Sequence, residues 1–420
     1  FGDGITGTGE TVVHAYTIRG TYDVKLTITT SEGTQPPYTK PLYIQVTGGE
    51  AVLDAYVAAP DPYYGQYSLH STEPGIGPFG EYTTYQLNMT SQQWRTAGEV
   101  NKPIWRHWLT VVVPTMLRTQ TALLLIEGGN NNRFDPPNPP DVDDAFVAIA
   151  TQANAVLVHL HGVPSEPLVF VGDETRSRTE DEIIAYTYDK FMNSVAEGTP
   201  DVTWPALLPM AKSAVCAMDT AQEFLSSHVP AASINHFVVT GGSKRGWTTW
   251  LTAISDPVEG RIAAIMPLVI DVLHMEAQMA HHRAVYGWWS PAIYPYAQMR
   301  VFERFGSAEA DALLAIVDPY RRRDKLTMPK FILNSTGDQF FVCDSSQFYF
   351  DRLLGEKHLN YVPNTDHGIV DGGDTPAEVA KKIEPILAFF KAVAYDRPRP
   401  QVNWRIVGNS IRMTTETEPE

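Results

Sequence analysis

The stretch His236-Phe237-Val238-Val239-Thr240-Gly241-Gly242-Ser243-Lys244-Arg245-Gly246, continuing as WTTWLTAI through residue 254, changes character twice within a few residues. Its first five residues form a short apolar run, rich in β-branched side chains, of the kind expected in a strand buried on both faces. Two glycines follow as a tight turn, and a helix begins at about Lys244. A strand, a sharp turn and a helix therefore meet at Ser243. That arrangement lifts a serine hydroxyl above the edge of a sheet and brings the positive end of a helix toward it. The match to Gly-x-Ser-x-Gly is displaced, because Arg245 occupies the place of the second glycine and Gly246 follows one residue later. Read alone, the string is equally a glycine-serine turn with Ser243 as a helix N-cap.

The rest of the chain decides between these readings. From about residue 49 to 395, short apolar runs alternate with helical stretches, which predicts a mainly parallel sheet covered by helices. Strands are expected at Trp108 to Pro114, Ala122 to Ile126, Ala155 to Leu160, His236 to Thr240, Ala263 to Ile270, Lys330 to Asn334 and Leu359 to Val362. Thr179 with Glu182, and Thr375 with Pro376 and Glu378, predict capping boxes at the starts of two helices. In the α/β-hydrolase fold a nucleophilic serine is followed in sequence by an acid after a late strand and a histidine after the last one. Here Phe331-Ile332-Leu333 runs into Asn334-Ser335-Thr336-Gly337-Asp338, and Asn360-Tyr361-Val362 runs into Pro363-Asn364-Thr365-Asp366-His367. Ser243, Asp338 and His367 thus have the types and order of a catalytic triad: an imidazole to take the serine proton and a carboxylate to fix the imidazole tautomer. Asp271, Asp344 and Asp366 compete for the role of the acid.

An oxyanion hole in this fold combines the N–H of the residue after the nucleophile with one from a loop after an early strand. Lys244 fills the first position. The run Leu123 to Ile126 leads into Glu127-Gly128-Gly129-Asn130-Asn131-Asn132, from which Gly129 or Asn130 is the candidate second donor.

Charge narrows the field of partners. The 420 residues carry 32 Lys+Arg against 48 Asp+Glu, a formal net charge of -16, which repels nucleic acid and anionic membranes. Two cysteines, Cys216 and Cys343, offer no disulfide framework. No apolar run approaches the roughly 20 residues of a membrane span. No cofactor motif is present, and none is expected to be needed. His281-His282 and His159-Leu160-His161 invite a metal reading, but with no H-E-x-x-H pattern and no completing carboxylate in the sequence pattern, no metal site is expected.

At the N-terminus, Phe1-Gly2-Asp3-Gly4, His14-Ala15-Tyr16 and Gly20-Thr21-Tyr22-Asp23-Val24 resemble a PKD domain, an immunoglobulin-like sandwich common on exported proteins. The resemblance covers about residues 1–47, lacks the first strands of such a unit, and implies a secreted, periplasmic or cell-surface location. After Tyr395, DRPRPQ reads as a linker, and residues 402–420 alternate like the start of another β unit, so the chain is expected to be a piece of a longer protein.

The segments MTSQQWR (89–95), SRTED (177–181), GGSKRGWTTW (241–250), TMPKFILNSTGDQFF (327–341), DSSQFYFD (344–351) and YVPNTDH (361–367) resemble the PhoPQ-activated pathogenicity-related protein family, which includes autocrine proliferation repressor proteins. The resemblance implies an exported α/β-hydrolase domain and a serine hydrolase activity. Cys343 departs from an expected proline, and the PKD-like unit is an accessory. The elbow is also similar to the Gly-Cys-Ser-Arg-x-Gly elbow of glucuronoyl esterases, with Lys244 in place of arginine, which brings carbohydrate esters into view.

A segment of about residues 272–326 lies between the strands ending at Ile270 and beginning at Lys330, and it is expected to form a cap over the site. Its Tyr286, Trp288, Trp289, Tyr294 and Tyr296 are candidates to line a pocket, or to pack the cap itself. The expected function is hydrolysis of a small-molecule or polymer ester, carbohydrate-linked and aromatic esters included. Amide hydrolysis by the same machinery and a non-catalytic secreted signalling or adhesion role are the alternatives.

Overall fold

Along the strand His236–Gly242, successive side chains enter different layers: Phe237 and Val239 belong to one apolar cluster and Val238 to another. The strand Lys330–Ser335 repeats the pattern, with Ile332 in the first cluster and Phe331 and Leu333 in the second. Period-two alternation with both faces apolar is what a parallel sheet between two helical layers requires. The computed structural model describes residues 1–2, 6–9, 12, 20–31, 33–46, 50–370, 372–400 and 402–415.

The main sheet is built from β1 (Gln66–Gly77), β2 (Gly80–Gln93), β3 (Ile104–Pro114), β4 (Thr121–Ile126), β5 (Leu157–Leu160), β6 (His236–Gly242), β7 (Ile262–Leu268), β8 (Lys330–Ser335) and β9 (Lys357–Val362). Their spatial order is β9-β8-β7-β6-β4-β5-β3-β2-β1. The strands from β9 to β5 in that order run parallel, while β3, β2 and β1 join by antiparallel pairing. This is the α/β-hydrolase fold.

Helices α1 (Glu50–Ala58), α3 (Glu180–Ala196), α4 (Leu207–His228), α5 (Lys244–Ser255) and α8 (Ala308–Val317) feed the larger cluster on one face. On the other face, α2 (Asp144–Ala153) contributes Ala150 and Ala153, and α9 (Pro376–Ala394) contributes Phe389 and Phe390. Between β7 and β8 the chain forms α6 (Met275–Tyr286), α7 (Tyr294–Gln298), α8 and a 3-10 turn at Pro319–Lys325. Arg322 in that turn is buried and holds Asp54 of α1 through two hydrogen bonds of 2.8 and 2.7 Å.

Reading by apolar runs finds neither β1 nor β2. β1 is the edge strand, largely exposed, and β2 is its inner neighbour, whose opening GEYTTYQ carries little apolar signal. The reciprocal cap expected at Thr179 does not form: Thr179 is the N-cap without a side-chain bond, and the Glu182 carboxylate accepts from Arg176 at 2.6 Å instead. At α9 the box forms in both directions, Thr375 accepting from the Glu378 N–H and Glu378 from the Thr375 N–H.

Near the N-terminus, Gly20–Leu26 pairs antiparallel with Tyr38–Val46. Tyr22 and Val24 are half-buried there, whereas Leu26 and Ile28 are exposed. Asp3, Gly4 and His14 to Tyr16 of the PKD-like motif lie outside the described residues. At the other end Val402–Val407 and Ser410–Thr415 form a hairpin. No helix among the described residues is long and apolar enough to cross a membrane.

Lys330, the first residue of β8, is fully buried, and its ammonium donates to the carbonyls of Leu354 and Glu356. Burial, helped by neighbouring Lys357, pulls its pKa down from 10.5 to about 8. Between these two values the unfolded chain binds the proton that the folded one has released, so this group makes stability rise with pH across that window. Denaturant unfolding between pH 8 and pH 10.5 should show that rise in the wild type and lose it in Lys330→Met, relative to their common background.

Candidate active site

At the end of β6 the backbone of Ser243 takes φ 55° and ψ −124°, a conformation an L-residue adopts only under constraint. The neighbouring glycines account for it. A Cβ on Gly241 would lie 2.7 Å from the Arg245 carbonyl oxygen, and one on Gly246 would lie 2.6 Å from Ile270 Cγ2 and 2.9 Å from the Gly241 carbonyl oxygen. Gly241 and Gly246 are thus the close-packed pair of this turn, which explains why the second glycine stands one position later than in the common motif. The Ser243 N–H donates to the Leu268 carbonyl at 2.9 Å, pinning the turn to β7.

The loops after β8 and β9 leave the same end of the sheet because these strands are parallel and in register, Ser335 opposite Val362. They are stitched together by the Thr336 N–H to Val362 O at 3.1 Å, Gly337 N–H to Thr365 O at 2.9 Å and Asn364 N–H to Thr336 Oγ1 at 2.8 Å. Within this frame His367 Nε2 lies 2.8 Å from Ser243 Oγ, and His367 Nδ1 lies 2.8 Å from Asp338 Oδ2. The other Asp338 oxygen accepts the Phe340 N–H at 2.7 Å, and the Phe340 ring packs against the imidazole at 4.1 Å. A serine, an imidazole and a buried carboxylate in one hydrogen-bonded line can move a proton off the serine and hold the resulting imidazolium.

The competing acids are engaged elsewhere. Asp271 is buried and accepts hydrogen bonds from the Tyr349 and Tyr361 hydroxyls, the latter at 2.7 Å, while burial raises its pKa to about 6. Asp344 accepts from His281 at 2.7 Å, and Asp366 accepts the Gly368 N–H at 2.7 Å.

The Lys244 backbone begins α5, and its ammonium lies 2.7 Å from Asp181 and 3.3 Å from Glu180. Asp181 also accepts from the Tyr296 hydroxyl at 2.9 Å. Arg245 turns its guanidinium under the elbow, donating through Nε to the Val163 carbonyl and through both terminal nitrogens to Glu180 at 2.7 and 2.8 Å. Burial and the neighbouring Glu180 push Glu166 up, whereas Arg245 and Lys244 outweigh burial and hold Glu180 down. Gly128 lies directly against Arg245, since a Cβ there would sit 2.3 Å from the guanidinium. Gly128, Gly129 and Asn130 also line an adjoining cavity with Glu127, His159 and His161. The mismatch at Arg245 and the segment SRTED mark in the sequence the place where Arg245 and Glu180 pair.

The expectation that no carboxylate accompanies His159 and His161 is also corrected. The Glu127 carboxylate accepts from His159 Nε2 and lies 3.8 Å from His161 Nδ1. Burial, then His159 and Arg133, depress the His161 pKa to about 2, so this imidazole is neutral. The sequence pattern did not show this carboxylate, because only the parallel pairing of β4 with β5 sets Glu127 beside the histidines.

A narrow cavity of about 40 Å³ opens beside Ser243, walled by Trp247, Ile270, Met275, Met279, Phe302 and Phe340, among others. Part of this wall comes from the segment between β7 and β8. Of the cap aromatics, Tyr296 lines the cavity, Trp289 packs on Phe302 at 4.6 Å, and Tyr286, Trp288 and Tyr294 are exposed.

The model of the PhoPQ-activated pathogenicity-related protein family matches residues 53–420, and that of the PKD domain matches residues 1–46. The chain is 35% identical over 356 residues to autocrine proliferation repressor protein A of Dictyostelium discoideum, a match covering 84% of this chain and 67% of that protein. Among solved structures it is similar to acetyl xylan esterase 1 of a Thermoanaerobacterium species, with TM-score 0.50, 14% identity, and coverage of 82% of this chain and 91% of that one. An acetyl xylan esterase of a Paenibacillus species gives TM-score 0.50, 11% identity, and coverage of 82% and 92%. At these identities the likeness speaks to the fold.

Two glycines of the elbow, Gly242 and Gly246, should respond differently to the same change. A Cβ on Gly242 meets nothing within 4 Å, while one on Gly246 collides with Ile270 and the Gly241 backbone. Gly246→Ala should lose about 1–3 kcal/mol in denaturant unfolding through overpacking, and Gly242→Ala should stay close to wild type.

Proposed function

Because the chain belongs to the PhoPQ-activated pathogenicity-related protein family and has the α/β-hydrolase fold, we propose that it is a serine hydrolase acting on carboxylic esters. The observation that carries this reading is the line Ser243 Oγ, His367 Nε2 and Nδ1, Asp338 Oδ2, with 2.8 Å at each step.

In this reading Ser243 Oγ adds to the ester carbonyl as His367 takes its proton. The tetrahedral intermediate then expels the alcohol, which leaves carrying that proton. Water, deprotonated by His367, cleaves the acyl-enzyme, releasing the acid and returning a proton to Ser243. Asp338 keeps Nδ1 protonated and stabilises the imidazolium. The N–H of Lys244 at the start of α5 and an N–H from the loop Gly128-Gly129-Asn130 would meet the developing oxyanion, with Gly128 the loop residue set against the elbow. No cofactor takes part in these steps. The apolar wall of the cavity beside Ser243 favours a small apolar acyl group or an aromatic one over a charged one, and leaves room for a carbohydrate as the alcohol outside.

The PKD match supports export, to the periplasm, the cell surface or beyond. With it goes a division into a PKD-like unit at 1–47, a hydrolase domain at 49–395 whose cap is the segment 272–326, and a C-terminal segment at 396–420. The printed name of the Dictyostelium relative speaks of repressed proliferation, so a signalling role on the same fold is the rival reading.

Fluorophosphonate labelling and ester turnover separate the two. The wild type should label and turn over, and Ser243→Ala should do neither, with turnover falling by on the order of a millionfold. Asp338→Asn should cost about ten-thousandfold, through the wrong tautomer, while Asp271→Asn, tied to tyrosines, should cost far less. A wild type that neither labels nor turns over esters would favour the signalling role.

A further inference from the structure

Parallel pairing of β4 with β5 sets Ile126 opposite Leu160, so Glu127 and His161 leave the sheet side by side. His159 lies two residues before His161 and therefore faces the same way. The backbone here is firmly held: the Glu127 N–H donates to Leu160 O at 2.8 Å and the His161 N–H to Trp108 O at 2.9 Å. One carboxylate oxygen and one nitrogen from each imidazole come within 4.8 Å of one another. We propose that Glu127, His159 and His161 bind a divalent transition-metal ion of the zinc class, at a site separate from Ser243.

Two imidazoles and one carboxylate are the donor set such ions prefer, and with a fourth position open toward a cavity they match the open arrangement of three protein ligands plus water. Small rotations of the three side chains would close the spread to the edge length of a tetrahedron with ligands at about 2.0–2.2 Å. Independently, His161 Nε2 is a buried atom with no hydrogen-bond partner among the described residues, and Nδ1, at 3.8 Å from Glu127, is beyond hydrogen-bonding distance. A buried imidazole left in this state is costly unless something else engages it. The cavity in front, of about 470 Å³, adds the carboxylates Asp141, Asp143 and Glu166 to Glu127, against the single guanidinium of Arg133 among its lining residues. That balance favours a cation. Phe146 packs edge-on against His159 at 4.3 Å and limits its ring motion.

The test uses the whole chain, stripped with a chelator and titrated with zinc, and with cobalt as a visible reporter of coordination. One equivalent should bind, with cobalt giving the absorption of a nitrogen and oxygen site of low coordination number. Zinc should also raise the melting temperature. His159→Ala, His161→Ala and Glu127→Gln should each weaken binding by more than the roughly 10–100-fold typical of losing an outer-sphere partner. His281→Ala, which removes the half-buried pair with Asp344, should leave binding unchanged. Glu127→Gln keeps size and shape, so its folding, checked by circular dichroism, guards against a trivial loss. Absence of stoichiometric binding in the wild type, or equal binding by the Glu127→Gln variant, would overturn the proposal.

Discussion

Ser243 sits at a left-handed backbone angle that costs an L-residue on the order of 1–3 kcal/mol, and it persists only where the surroundings over-determine it. Here they do so from several sides. Its N–H is spent on Leu268 O, its carbonyl accepts from the Trp247 N–H at 3.0 Å, and the Trp247 indole is itself tied to Val317 O of α8 at 2.6 Å. Gly241 and Gly246 allow β6 and α5 to approach until no side chain fits between them. The backbone that carries the hydroxyl is thereby fixed in space.

Beneath that turn lies a layer of charge. Arg245 binds Glu180 with both terminal nitrogens and Val163 O with its third, and Lys244 joins Asp181 and, through it, Tyr296 of α7. The cationic ends of these pairs are buried, so desolvation offsets much of the attraction, but removing a carboxylate would leave a costly buried charge, and their geometry is strongly held. They connect the elbow to the start of α3, to the cap and to the loop at Gly128. A glycine in place of Arg245 would satisfy the common motif and leave those connections unmade.

The loop Glu127-Gly128-Gly129 serves two neighbourhoods at once. Gly128 rests on Arg245 under the elbow, while Glu127 meets His159 and His161, which line a second cavity with Gly129. The Gly162 N–H to Gly128 O bond at 3.0 Å, and the Val163 N–H to Glu127 O bond also at 3.0 Å, hold this loop against the segment after β5. Whatever steadies Glu127 therefore steadies the backbone packed against the turn at Ser243.

Much of this was legible in the order of residues. A buried run ending at Thr240, another ending near Asn334 and a third ending at Val362, each followed by a chemically apt side chain, are local patterns of apolar periodicity and turn residues, and they located Ser243, Asp338 and His367 on loops at strand ends. What the sequence could not decide depends on neighbours distant along the chain. Asp271 and Asp338 are both carboxylates after strands, and only the packing of Tyr349 and Tyr361 onto the one and His367 onto the other separates them. The edge strand β1 and its neighbour β2 escaped notice because their sequences mix polar and apolar residues and carry a diluted apolar pattern. Glu127 meets two histidines more than thirty residues away because β4 and β5 are parallel neighbours, a pairing written in no single segment. Local periodicity is set by the chain itself, whereas the choice among equivalent polar groups is made by burial and by which strands lie side by side.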